Sequence, residues 1–222
     1  MAKTFLFLGS LLFVGIANAT LSGLAADRVE PGWRGQPNTT LQAWNFDTAD
    51  NPGLVTLDLN PYGKPAAEVF VPDTGFPKET YWMAANGNGH TGVWRIYGSD
   101  YLLLYIPNNP RTSPDSYKDI WLQIIYSSES IDRKPQIQTL PQYASLEVIQ
   151  STVIDGLYYH DVFHIRLEPQ PPEEWIAILP RDCTLYIDGI VVDTICVPEP
   201  TTIGLLGLGA LNLLRRRPSA AV

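Results

Sequence analysis

The chain has 222 residues, 45% of them hydrophobic and 17% charged, with a net charge of −8. This length and apolar content suit one domain with a full core and exclude a disordered or fibrous chain. The acidic balance excludes nucleic acid as a partner, because its phosphates would be repelled.

The first residues have the three parts of a secretory signal peptide. Lys3 supplies a positive start, and residues 5–16 (FLFLGSLLFVGI) form an uncharged apolar core. At 1.5 Å per residue this core is too short to span a bilayer of about 30 Å. Ala17-Asn18-Ala19 is a small-x-small cleavage site, so residues 1–19 are read as a signal helix removed after Ala19.

Residues 20–196 form the mature domain. Four of the fifteen basic residues, Lys3 and the three tail arginines, lie outside it, against one acid, Glu199. The exported domain is therefore more acidic than the whole chain. Short aromatic and β-branched runs alternate with Pro, Gly and Asn, the pattern of an all-β fold. Strands are expected near 41–46, 54–59, 68–71, 92–97, 101–106, 120–126, 146–154, 158–167, 175–179, 184–187 and 190–195. Residues 107–119 and 127–142 read as long surface loops. YLLLYI at 101–106 is apolar on both faces, as a strand interior to its sheet would be. The fold class is all-β, a single antiparallel β-sandwich.

Several groups are candidates for chemistry. Asp47, Asp50 and Asn51, in DTADNPG, offer oxygen ligands for calcium, although the same residues are the normal vocabulary of a turn. Residues 86–90 (NGNGH) read as a flexible loop, whose glycines lack the strand-to-helix setting of a nucleotide fingerprint. His160 and His164 lie on one strand, roughly 13 Å apart at about 3.3 Å per residue, too far to share a zinc. They are read as solvent-facing. Glu173 and Glu174 point in opposite directions on an extended chain.

Aromatic residues make up 11% of the chain, with six Trp and eleven Tyr. In IWLQIIY, alternation puts Trp121, Gln123 and Ile125 on one face and Ile120, Leu122, Ile124 and Tyr126 on the other. If the second face packs the core, Trp121 and Gln123 form a sugar-contacting platform, with Tyr158, His160 and Arg166 from a second strand. Core packing is the competing role for all of these. Cys183 and Cys196 flank TLYIDGIVVDTI, read as a hairpin about an Asp188-Gly189 turn. That register puts them on one face, one diagonal step apart, either as a disulfide or as two buried thiols.

The tail, 197–222, combines Val197-Pro198-Glu199-Pro200, an apolar helix over 203–214 and Arg215, Arg216 and Arg217. The prolines delay helix formation. The arginines would remain cytoplasmic, leaving the domain outside. The apolar run is brief and contains Asn212, which suits a transient transmembrane helix better than a lasting anchor. The tail resembles the PEP-CTERM sorting signal. That resemblance implies recognition of Pro198, Glu199 and Pro200 by an exosortase-type transpeptidase, brief tethering at the inner membrane, and delivery to the cell envelope or beyond. Residues 158–194 are also similar to the closing strands of jelly-roll carbohydrate-binding modules and of exported domains with the same tail, which implies a jelly-roll-like sandwich.

The reading is an exported, non-catalytic β-sandwich without a cofactor, structural or adhesive in an extracellular matrix or biofilm. A carbohydrate-binding module taking extracellular polysaccharide is the alternative. A polysaccharide-active enzyme ranks below both, since no carboxylate pair or nucleophile elbow declares itself.

Overall fold

A computed structural model describes residues 24–72, 79–86, 90–110, 116–130 and 134–198. The signal peptide expected over 1–19, and the tail from Glu199 onward with the apolar helix expected over 203–214, lie outside these residues. Among the described residues there are twelve β-strands and no helix. They are β1 (Thr39–Trp44), β2 (Leu57–Asp58), β3 (Ala66–Phe70), β4 (Tyr81–Ala85), β5 (Thr91–Tyr97), β6 (Tyr101–Pro107), β7 (Ser116–Ser128), β8 (Gln136–Leu140), β9 (Ser145–Ile154), β10 (Tyr158–Leu167), β11 (Glu173–Leu179) and β12 (Thr184–Pro198).

The strands form two antiparallel sheets. The larger has the order β2-β1-β12-β7-β10-β9, with β5 beside another part of β12 and β4 on the far side of β5. The smaller has the order β3-β6-β11-β8, so β6 is interior as its two apolar faces required. Alternation builds the core between them. Ile120, Leu122, Ile124 and Tyr126 of β7 and Phe163, Ile165 and Leu167 of β10 pack with Leu102, Leu104 and Ile106 of β6 and Ile176 and Ile178 of β11.

β12 is the spine of the larger sheet. It pairs with β7 along Leu185–Pro198 on one side, and with β5 and then β1 on the other. This overturns the expected hairpin. Asp188 is an extra residue in one continuous strand, where the register with β7 shifts between Ile187 and Gly189. Neither Asp188 nor Gly189 has the positive φ that a two-residue turn requires. Unbroken β7 offers both halves a longer partner than they offer each other. The bulge also swaps the inward parity, from Leu185 and Ile187 before it to Ile190 and Val192 after it. Cys183 and Cys196 therefore lie at opposite ends of an extended segment, about 40 Å apart. Both are free thiols, and a disulfide between them is excluded by distance.

Two strands went unread. β4 (YWMAA) lacks β-branched residues, and β8 (QIQTL) lies inside a stretch whose Pro, Ser and Asp suggested a loop. Both are edge strands, where flanking polar residues and prolines are tolerated. The strand expected over 54–59 shrinks to the two residues of β2.

Candidate functional site

Each sheet has an outer face, and the two differ. On the larger sheet, residues 24–36 lie across the outer face and bury a second, small core of Ala26, Leu41, Ala43, Ile125, Tyr158 and Val191. Polar contacts hold this segment down. Gln123 Oε1 accepts from the Arg28 and Val29 amides at 3.1 and 3.0 Å, and its Nε2 donates to Asp27 at 3.2 Å. Trp121 Nε1 donates to Val29 O at 2.9 Å. Arg34 forks onto both oxygens of Asp193 at 2.6 Å and onto Asp27 at 2.7 and 2.9 Å.

His160, expected in solvent, is only 1% exposed here. Its Nε2 lies 3.1 Å from Ala26 O and 3.2 Å from Gln123 Oε1, two acceptors, so this nitrogen carries the hydrogen. Burial lowers its pKa from the ordinary imidazole value. Tyr158 is also buried, stacked on His90 with ring centroids 3.6 Å apart, and burial pushes its hydroxyl up to about 12. Arg166 is spent on a two-pronged pair with Asp119 at 2.8 and 2.9 Å, beside His164 at 3.1 Å from the same carboxylate. The face assignment of Trp121 and Gln123 was right, but the face is not free. Trp121, Gln123, Tyr158, His160 and Arg166 do not form an open platform.

Among the described residues, nothing covers the outer face of the smaller sheet in this way. Register sets Ala66, Tyr105, Trp175 and Leu140 in one row across β3, β6, β11 and β8. The next outward row is Glu68, Leu103, Ala177 and Gln138, and beyond it Phe70 faces Tyr101. Tyr105 and Trp175 form a tilted ring pair with centroids 4.6 Å apart, and Phe70 and Tyr101 another at 5.0 Å. Four strand steps separate Tyr101 from Tyr105, roughly 13 Å. Tyr105 donates its hydroxyl to Glu173 at 2.9 Å, which puts a carboxylate beside the first pair. Phe70 and Leu140 are exposed at 45% and 69%. Period-two alternation in YLLLYI and EEWIAIL held the signal for this face, and reading YLLLYI only as a core strand concealed it.

Glu174, the neighbour of Glu173, points inward as alternation requires. At this end of the sandwich Lys118 of β7, Glu174 of β11 and Asn108 after β6 meet across the two sheets. Lys118 Nζ contacts Asn108 Oδ1 and Glu174 Oε1, while Asn108 Nδ2 donates to Glu174 Oε2 and, at 2.9 Å, to Pro171 O. The Lys118 and Glu174 side chains have no exposure at all. Burial raises the Glu174 carboxyl pKa against the lowering effect of Lys118. Residues 107–119, expected as a surface loop, thus have buried ends.

Two of the calcium candidates have other partners. Asn51 is committed to β3, donating Nδ2 to Val69 O and accepting the Val69 amide, both at 2.8 Å. Asp50 accepts from Thr48 at 2.7 Å, a local turn contact. Among the described residues no group of three or more His, Cys, Asp or Glu side chains is placed to hold a metal ion.

The last two residues of β12 bear on localisation. Val197 and Pro198 pair with Tyr117 and Ser116 of β7, so the first residues of the tail belong to the sheet. Residues 197–217 match the family model of the PEP-CTERM protein-sorting motif. The chain carries a PEP-CTERM sorting motif. That match includes Val197, Pro198, Glu199 and Pro200 and the arginines at 215–217. The PEP-CTERM signal marks an exported protein, sorted to the cell envelope and processed by an exosortase. No curated protein and no solved structure matches the chain.

Proposed function

We propose that the mature domain is a non-catalytic adhesive module of the extracellular matrix, whose contact surface is the outer face of the smaller sheet. The aromatic pairs Tyr105–Trp175 and Phe70–Tyr101 carry this reading, because they offer flat apolar surface at both ends of one exposed strip. Between them Leu103 and Ala177 leave a low floor, flanked by the Glu68 carboxylate and the Gln138 amide. Rings that stack on apolar sugar faces, with polar groups at the margins for hydroxyls, suit an extended polysaccharide. The acidity of the domain favours a neutral polymer over an anionic one. The ends of the strip lie roughly 13 Å apart along β6, enough to engage a short run of sugar rings.

Retention of the mature domain on insoluble neutral polysaccharides tests the reading. The double variant Tyr105→Ala, Trp175→Ala should lose at least tenfold in retention, while Trp121→Ala should change it little. No retention of the unaltered domain on any neutral polymer, or equal retention of the double variant, would refute it.

A further inference from the structure

The buried cluster of Lys118, Asn108 and Glu174 has a composition that plain packing does not call for. All three residues occupy inward positions, continuing the parity of Ile120, of Ile106 and of Ile176 along their strands. A buried ion pair alone is seldom a source of net stability, and an aliphatic trio would fill this space more cheaply. What the three groups share is the set needed to form an amide. Lys118 supplies a nucleophilic nitrogen, Asn108 a carboxamide carbon with a displaceable nitrogen, and Glu174 a carboxylate touching both nitrogens.

We propose that Lys118 and Asn108 are joined by an intramolecular isopeptide bond, formed in the folded domain with Glu174 as the proton carrier. Glu174 Oε1 takes a proton from the Lys118 ammonium and leaves a neutral amine. The amine lone pair attacks Asn108 Cγ, the carbonyl electrons move onto Oδ1, and a tetrahedral centre forms. Collapse of that centre breaks the Cγ–Nδ2 bond as Glu174 delivers its proton to Nδ2 and then takes the second proton from Nζ. The products are a neutral Cγ–Nζ amide, one molecule of ammonia and a protonated Glu174, which replace the ammonium, carboxamide and carboxylate of the start. Atoms and charge balance without an oxidant, metal or cofactor.

Four features of the site favour these steps. Exclusion of water keeps the amine from being reprotonated by solvent and hydrolysis from competing. The folded sheets hold the reacting groups in contact, which replaces a bimolecular encounter. The upward shift of the Glu174 carboxyl suits a group that must hold a proton in passing. Asn108 is further oriented through its Nδ2 bond to Pro171 O. The cross-link ties β7 of the larger sheet to the end of β6 in the smaller one, next to Cys196, the residue of β12 that pairs with Lys118.

Peptide mapping of the full-length chain, recovered after export and digested with trypsin, tests the proposal. Acylated Lys118 resists trypsin, so residues 96–111 should appear covalently joined to 112–133, at a mass lower by one ammonia. Cleavage at Lys118 with the two peptides separate, or a joined pair that has lost water instead, would overturn the assignment. Glu174→Gln should abolish the joined peptide or slow its appearance at least tenfold, and Lys118→Arg should abolish it. The wild-type map decides the question even if a variant fails to fold.

Discussion

His160 illustrates how one side chain can report on the segment that covers it. Its neutral form donates to Ala26 O and Gln123 Oε1, and Asp161, Asp27 and Arg28 surround it electrostatically. Burial depresses the folded pKa, whereas the unfolded chain takes its proton near pH 6.5. The stability this neutral imidazole contributes is therefore complete above about pH 6.5 and falls as pH drops through that value. Asp193 works in the opposite sense. Burial outweighs Arg34 and pushes its carboxyl up to about 6, so its contribution grows as pH falls from there toward the ordinary carboxylate range. Urea midpoints of wild type and His160→Gln between pH 7.5 and 5.5 separate the two, since Asp193 titrates in both. Wild type should lose more stability on acidification than the variant, by about 1 kcal/mol per pH unit at most. Parallel slopes would show that the imidazole is not held neutral.

At this scale the sequence was legible in parity and opaque in cover. Alternation alone placed Trp121 and Gln123 together, and split Glu173 from Glu174. It did not show that residues 24–36 would fold back over the first pair. Their anchors, Arg34 to Asp193 and Val29 to Gln123, join residues more than ninety positions apart, and no local pattern records such contacts. The Lys118 cluster was missed for another reason. A lysine and an asparagine near two prolines read as loop chemistry, although Lys118 keeps the even parity of Ile120 and Leu122.

Among the elements, β12 shows the limit of turn vocabulary. Asp-Gly between apolar runs is the strongest short hairpin signal, yet here it forms a bulge, because β7 has a continuous ladder to offer on one side. Glycine matters more at β5. Gly92 has φ of +72°, and a Cβ there would run into the Phe46 carbonyl. Gly92→Ala should cost at least about 2 kcal/mol, from left-handed strain together with a clash against backbone that cannot swing aside. Chemical denaturation measures it, and a loss below 0.5 kcal/mol, roughly the scatter of ordinary surface changes, would mean that β5 adjusts. Strand positions otherwise followed period-two alternation well where branched and aromatic residues dominate, and poorly at the edges, β4 and β8, where they do not.

For the whole molecule, domain and sorting signal meet without a spacer, since Val197 and Pro198 still pair with β7. Processing of the PEP-CTERM signal must occur close against the folded sheet. Replacing Pro198 and Pro200 together by alanine should leave the chain uncut at its tail. Intact mass of the envelope-associated protein would then include residues up to Val222, and normal trimming of this variant would show that other residues direct the exosortase. The tail was the most legible part of the chain, because Pro-Glu-Pro, an apolar run and three arginines are contiguous. The adhesive face was harder to read, since it is assembled from four strands distant in sequence.

The central place of β12 carries one more consequence, for passage through the membrane. Its three neighbours β1, β5 and β7 all precede it in the chain, and each must wait for this one ribbon before its open flank is satisfied. A nascent polypeptide that has yet to yield residues 184–198 lacks the seam of its larger layer. The larger layer can therefore close only once nearly the entire domain has crossed.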